Sequence, residues 1–306
     1  MDRRQFMRVT GAVTMGSLLT QQTVNGLSNK EDVLKAIDLQ NYLRSLYEIP
    51  EPSVDRIIIG DPETHITKIG TCWTPYWKTL KQAAAQGVNT MVVHEPTFYS
   101  HWDLDNKKGD YLSAPEPGKT AYMRAVDQKK KWIKDNGMVI IRCHDVMDIL
   151  PDFGIPYGLA RALGFSENDL ADSKDYYRVY NVPPRPANKV VQDIAARLKI
   201  LDQQGVEFYG DPEYLVSKVG FGTGCICDPL KYMELGADLF IAIDDTIRTW
   251  IQSVYAEDTG IPLVVINHGT SEEYGMRLLN EHLRKVLPQF QVLHFNQGCG
   301  YRWVTG

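Results

Sequence analysis

The sequence predicts an α/β protein of mainly parallel sheets flanked by helices, arranged in two lobes with a site at the carboxyl ends of the strands. Three observations predict it. Short β-branched runs alternate with stretches of helical periodicity along most of the chain, the connections between them are short, and the composition is globular. Hydrophobic residues make up 43% and charged residues 23% of 306 residues, enough for a sizeable core and too apolar for a disordered chain.

Taken in order, Ile57 to Ile59 and Lys68 to Cys72 read as strands, and Trp77 to Gln86 as a helix closed by Gly87. Thr90 to Val93 is a short apolar strand, Thr120 to Asn136 a helix ending at Gly137, and Met138 to Arg142 a further strand. The Pro-rich stretch Val182 to Pro186 marks the lobe boundary, giving lobes of residues 29–181 and 182–306. A helix from Asn188 to Gln204 opens the second lobe. Strand Val216 to Val219, helix Pro229 to Leu235, strand Asp238 to Ile243 and helix Thr246 to Ala256 follow. Strand Pro262 to Ile266 and helix Glu272 to Val286 complete the alternation. Thr270 and Glu273 have capping-box spacing for that last helix, and Met276, Leu279, Leu283 and Val286 form its apolar stripe.

Residues 1–28 stand apart. Arg3-Arg4-Gln5-Phe6-Met7-Arg8 precedes a modest apolar stretch from Val9 to Leu19, a pattern that resembles a twin-arginine signal and predicts export in the folded state to the periplasm. No run of eighteen apolar residues predicts a membrane span. A formal charge of −5 with no basic stripe argues against nucleic acid as a partner, and five scattered cysteines supply neither a disulfide scaffold nor a four-cysteine zinc site.

The chemistry gathers where strands end. His94-Glu95 follows Val93, His144 and Asp148 follow Arg142, Asp244 and Asp245 follow Ile243, and Asn267-His268 follows Ile266, with Glu272 four residues on. Ligands of open parallel sheets gather beyond the carboxyl ends of strands. His94, Glu95, Asp148, His268 and Glu272 together bring three carboxylates and two neutral imidazoles, a charge of −3. Crowded carboxylates repel. Two divalent cations bring the sum to +1, which a bridging hydroxide neutralises. Imidazole and carboxylate without thiolate suit Zn, Fe or Mn, and metal pairs about 3.5–4 Å apart recur in hydrolytic sites.

These residues resemble a known family. Val92-Val93-His94-Glu95-Pro96-Thr97-Phe98 resembles the His-His-Pro motif of the Nif-three-like hexameric dinuclear metal-centre proteins, also known as GTP cyclohydrolase type-two homologues. His144-Asp145-Val146-Met147-Asp148 resembles their second motif, and Asn267 to Gly275 their last. Gly222-Thr223-Gly224 and Gly236 to Phe240 match the expected order, so the resemblance runs from about Asp38 to Val286. It implies a dinuclear site on His94, Glu95, Asp148, His268 and Glu272, and a homo-oligomer, a hexamer. The chain also departs from the pattern. Glu95 stands where the family has a second His, Asn267 replaces a Gly, Cys72-Trp73 replaces an acidic position, and Asp244 reads as a group supporting a ligand.

The function expected is a metal-dependent hydrolase acting on a small-molecule substrate that the sequence does not identify. A metal-bridging hydroxide is the nucleophile, Glu272 bridges or brackets the metals and His144 moves protons; His144 reads as orienting Asp148 ahead of ligating directly. The rival is a non-catalytic metal-binding or metal-storage oligomeric scaffold. A sugar isomerase on a (β/α)₈ barrel ranks last, because six or seven βα units fall short of eight. Gly220-x-Gly222-x-Gly224 reads as a tight turn before a phosphate cradle, and Cys225-x-Cys227 as packing. His65, His101, His282 and His294 read as surface or core residues, and Lys129 to Lys131 as a solvated helix face.

Overall fold

The computed structural model describes residues 34–103, 115–174, 176–224 and 228–304. The twin-arginine-like opening and Cys225-x-Cys227 lie outside these residues. The chain forms two compact units. One comprises the residues up to Leu150 together with Leu279–Phe295, the other Pro151–Leu278 with Asn296 onward.

The first unit holds helix α1 (Ala36–Ser45), strands β1 (Ile57–Ile59) and β2 (Lys68–Cys72), and helix α2 (Trp77–Ala85). Strand β3 (Thr90–Val93), helix α3 (Gly118–Asp135), strand β4 (Val139–Arg142) and the short helix α4 (Asp145–Ile149) follow. Its last strand, β11 (Gln291–His294), comes from near the other end of the chain. The sheet order is β1-β4-β3-β2-β11. Four strands run parallel, with Cys72 beside Val93 and Val93 beside Arg142, and β1 lies antiparallel on the edge. Every residue of β3 and β4 is buried, as their unbroken apolar runs require. Leu80, Met91, Val126, Ile133, Ile140 and Phe295 belong to the core beneath.

Helix α3 corrects one expectation. Val126, Lys129 and Ile133 recur at helical spacing, and all three are buried. Lys129 is therefore on the core face, 2% exposed, with Nζ donating to the Thr97 carbonyl at 2.7 Å.

The second unit holds α5 (Ile155–Ala162), β5 (Leu170–Lys174), β6 (Tyr177–Pro186), α6 (Ala187–Leu198), β7 (Glu207–Tyr209) and β8 (Leu215–Phe221). Helix α7 (Pro229–Glu234), strand β9 (Leu239–Ile243), helix α8 (Val254–Thr259), strand β10 (Leu263–Ile266) and helix α9 (His268–Val286) continue the chain. Residues of α9 from Leu279 onward belong to the first unit. The sheet order is β5-β6-β8-β9-β10-β7. Its centre, β8-β9-β10, is parallel, while β5-β6, β6-β8 and β7-β10 are antiparallel, so this sheet is mixed. The link from Lys174 to Tyr177 is too short for the crossover a parallel pair needs.

The Pro-rich stretch does not separate the units. Val182 to Pro186 lies within β6; Pro183 and Pro184 fall where the pairing with β8 shifts register between Asn181 and Arg185, and Pro186 pairs with Leu215 at the strand's end. An irregular register is where a strand tolerates residues without an N–H. The division falls at Leu150 and Pro151 instead.

Helix α9 begins at His268, three residues earlier than the Thr270/Glu273 capping spacing predicts. Its first N–H is met from another segment: His268 N–H donates to Asp244 Oδ1 at 3.0 Å. Thr270 and Glu273 are consequently inside the helix and fully buried. Gly275 of α9 meets Gly158 of α5 with no room for side chains. A Cβ on Gly158 would come within 2.4 Å of the Gly275 nitrogen, and one on Gly275 within 2.7 Å of the Ile155 Cα. Among the described residues, no helix is long and apolar enough to cross a membrane.

Candidate metal centre

Two clusters of potential ligands stand at strand ends, one in each unit. In the first unit, β3 delivers His94 and Glu95, whose backbone N–H groups both donate to the Trp73 carbonyl, at 3.0 and 2.9 Å. The His94 ring is fully buried, with Nδ1 3.4 Å from the Cys143 carbonyl. The neighbouring strand β4 delivers Arg142, Cys143 and His144. Arg142, 1% exposed, donates from Nε to the His94 carbonyl at 2.9 Å and from Nη1 to the His101 carbonyl. Its Nη1 lies 3.5 Å from Asp103 and its Nη2 3.5 Å from Glu95 Oε2. The charge of Glu95 is thus partly balanced by Arg142, a pairing that the sequence alone does not reveal.

His144 is set by Asp55, a buried carboxylate from the segment before β1. Asp55 accepts the backbone N–H groups of His144, Asp145 and Val146 at 2.5, 2.9 and 2.9 Å, satisfying donors at the start of α4. The His144 ring stacks on His94, with centroids 4.5 Å apart and planes at 15°. Its Nδ1 lies 2.9 Å from Asp145 Oδ1 and 3.3 Å from Asp148 Oδ2, while His94 Nε2 is 3.6 Å from Asp148 Oδ1. Burial by itself would raise the Asp145 pKa, but hydrogen bonds from His144 and Ser53 hold it well below the usual carboxylate range. His94, His144 and Asp148 each offer one ligand atom, and the three atoms lie within 4.8 Å of one another. His101, which the sequence assigns no role, packs edge-on against the His144 ring at 5.5 Å.

In the second unit, the end of β9 and the start of α9 meet. His268 Nδ1 lies 2.7 Å from Asp245 Oδ2 and His268 Nε2 3.1 Å from Glu272 Oε1, so a carboxylate stands at each nitrogen. Glu272 is 1% exposed. The one-turn spacing of His268 and Glu272 puts both on one helix face. Asn267 braces the arrangement: its Nδ2 donates to Asp244 Oδ2 at 2.8 Å, and its Oδ1 accepts the Gly300 N–H at 2.8 Å. Asp244 therefore supports both Asn267 and His268. Gly224, at φ +64°, leaves space that a Cβ would fill, 2.8 Å from Glu272 Oε1 and 3.6 Å from His268 Nε2.

Both clusters suit a first-row divalent metal. Imidazole and carboxylate are the donors such ions favour. His94 and His268 also have a carbonyl or carboxylate at the other nitrogen, the partner that fixes the orientation of a metal-binding histidine, whereas Asp145 and Asp148 both face His144 Nδ1. The structure thus brings His94, His144 and Asp148 together in the first unit, with a carboxylate oxygen of Glu95 within 4.8 Å of a His94 ring nitrogen and Oε2 of Glu95 3.5 Å from Arg142, and His268 and Glu272 together in the second. Sequence reasoning missed Asp55 and Asp145 and gave Asp245 no task. Asp245 adjoins Asp244 at a strand end, a local signal, whereas Asp55 is some ninety residues from the turn it holds and has none.

The sequence pattern of the family described as Duf34/NIF3 (NGG1p interacting factor 3) matches residues 116–297, more than half of the chain. The match takes in His144, Asp148, His268 and Glu272 and begins after Glu95. Solved structures similar in fold include the following two. A Staphylococcus aureus protein, SA1388, is 15% identical, with 89% of this chain and 99% of that one covered at a TM-score of 0.67. A Bacillus cereus protein related to NIF3 is 11% identical, with 90% and 100% covered, also at 0.67. The Gene 55 protein of Saimiriine herpesvirus 2 (strain 11) is 26% identical over 144 residues, 47% of this chain and 69% of that protein.

Proposed function

The chain belongs to the Duf34/NIF3 family, and from that premise we propose that it binds two divalent metal ions and uses them in a hydrolytic reaction. The observation that carries this reading is the donor group of the first unit, where ligand atoms of His94, His144 and Asp148 lie within 4.8 Å of one another. His268 and Glu272 are the ligands proposed from the second unit. Zn, Mn or Fe suits this donor set. When bound, such a metal pair supplies Lewis acidity and a water-derived nucleophile at neutral pH.

The chain's own groups have separate tasks. Asp245 holds His268 Nδ1 and so directs Nε2 toward Glu272. Asp244 and Asn267 fix the backbone that carries His268. Arg142 holds the turn after β3 through the His94 carbonyl. The burial of His94 and Glu272 keeps water from competing at those side chains. The substrate is a small molecule of unidentified class.

Elemental analysis of gently purified protein tests the reading, beside Glu272→Gln and a panel of phosphoester, amide and cyclic-nucleotide substrates. About two metal ions per chain, with at least one lost in the variant and turnover above free metal, is the expected result. Full metal content without turnover would favour the storage or scaffold role, and a metal-free protein would overturn the proposal. A homo-oligomer, a hexamer by family resemblance, is tested by sedimentation. Export in the folded state is supported by Arg3-Arg4, and Arg3→Lys with Arg4→Lys should keep the protein cytoplasmic.

A further inference from the structure

Glu95 follows His94 at the end of β3, and its Oε2 lies 3.5 Å from the fully buried guanidinium of Arg142. A cation drawing Glu95 toward itself would leave Asp103 to balance that buried charge, and an under-paired buried charge is strongly destabilising. Competition of this kind weakens Glu95 as a metal ligand beside His94.

A second imidazole is already in place from β4. His144 stacks on His94 at 4.5 Å, and the two histidines reach the two oxygens of one carboxylate: His94 Nε2 lies 3.6 Å from Asp148 Oδ1, and His144 Nδ1 3.3 Å from Oδ2. A cation with bonds of about 2.0–2.1 Å sets its tetrahedral ligands roughly 3.4 Å apart, close to these separations. The His94 ring is oriented from behind as metal-binding histidines are, by the Cys143 carbonyl at Nδ1, while Asp145 Oδ1 lies 2.9 Å from the same His144 nitrogen, Nδ1, that faces Asp148. The turn that carries His144 and Asp148 is fixed in turn by three N–H groups on Asp55.

We infer that His144 is itself a metal ligand, and that the first unit holds one first-row divalent cation on two imidazoles and one carboxylate: His94, His144 and Asp148. This rests on the metal-binding part of the function proposed above and not on its hydrolytic part. Two neutral imidazoles and one carboxylate carry −1, so a bound divalent ion leaves +1 and open positions that suit water or an oxyanion. Two histidines and a carboxylate with open positions are a known ligand set for Fe²⁺. A ligated imidazole does not carry protons, so His144 leaves the proton-transfer role that the sequence suggests.

Cobalt(II) provides the probe, read by visible absorption and by metal content, with thermal melting as the folding control. His268→Gln with Glu272→Gln removes the second unit's ligands, and that chain should bind one cobalt ion. Adding His144→Gln, which retains a hydrogen-bonding group beside Asp145, should weaken binding by more than about 100-fold, beyond the roughly 10–100-fold that losing a merely supporting group costs, whereas adding Glu95→Gln should change it less than about threefold. X-ray absorption at the cobalt edge of the double variant should count two imidazoles, a readout that does not depend on the His144 variant folding. One imidazole, or cobalt affinity unmoved by His144→Gln and lost with Glu95→Gln, overturns the inference and leaves the proposed function standing. A wild-type chain that takes up no cobalt overturns both. Cobalt bound as expected without any turnover removes only the hydrolytic proposal.

Discussion

Replacing Asp55 should damage the candidate centre from outside it. Its carboxylate is 1% exposed and accepts three backbone N–H groups, from His144, Asp145 and Val146, at 2.5 to 2.9 Å. A hydrogen bond to a charged acceptor contributes about 1.5–3 kcal/mol, and a donor left buried without a partner costs about 1–3 kcal/mol. Water can reach the partly buried donors of His144 and Asp145, so three contacts do not simply add. Asp55→Ala should therefore cost roughly 3–5 kcal/mol. At about 2–4 °C per kcal/mol for a unit of this size, the melting temperature of the first unit should fall by roughly 10 °C. Asp55→Asn keeps one carbonyl acceptor and should lose about half as much. Calorimetry measures both, and metal titration of the folded variants reads how far His144 and Asp148 have moved. An alanine variant melting within about 2 °C of wild type, with unchanged metal affinity, would refute the idea that Asp55 positions this turn.

Three further outcomes are expected. Gly224→Ala places a Cβ 2.8 Å from Glu272 Oε1 on a backbone at φ +64°, so it should cost about 1–2 kcal/mol from the backbone alone and lower metal affinity at least tenfold by calorimetric titration. Gly275→Ala meets the Ile155 Cα at 2.7 Å, and should destabilise the second unit by about 1–3 kcal/mol in chemical denaturation. Lys129 has its pKa lowered to about 8, chiefly by burial, from an ordinary value of 10.5. The folded chain therefore releases this proton before the unfolded chain does, and the burden of the buried charge, roughly 3 kcal/mol, is present below pH 8 and relieved as pH rises to 10.5. The stability of wild type relative to Lys129→Met should climb across that window; a flat difference would show that the ammonium is not buried at its own expense.

Much of the centre is legible in the sequence because its ligands sit at the ends of strands whose apolar runs are unmistakable. Thr90 to Val93 and Leu263 to Ile266 are buried throughout, and the residues just beyond them, His94 and His268, follow from the strand assignment. What escaped is governed by partners distant in the chain. The start of α9 is capped by Asp244 from another segment, so the local spacing of Thr270 and Glu273 misleads. The charge of Lys129 marks it as solvated, although its spacing from Val126 and Ile133 places it inward. Strand β5 carries mostly exposed side chains on a sheet edge, which removes the apolar alternation that marks a strand. In β6 the prolines read as a break, because the irregular pairing that accommodates them is a property of the partner strand.

The strand β11 has a bearing on synthesis. It pairs with β2, where Gln291 to His294 lie beside Lys68 to Thr71, yet it leaves the ribosome after nearly all of the second unit. Until then β2 has an open edge, with backbone groups waiting for a neighbour more than two hundred residues downstream. A nascent chain or a fragment ending at Leu150 therefore presents that edge to any other strand it meets. Such a fragment should self-associate, and a separate peptide containing residues 279–295 should be what restrains it.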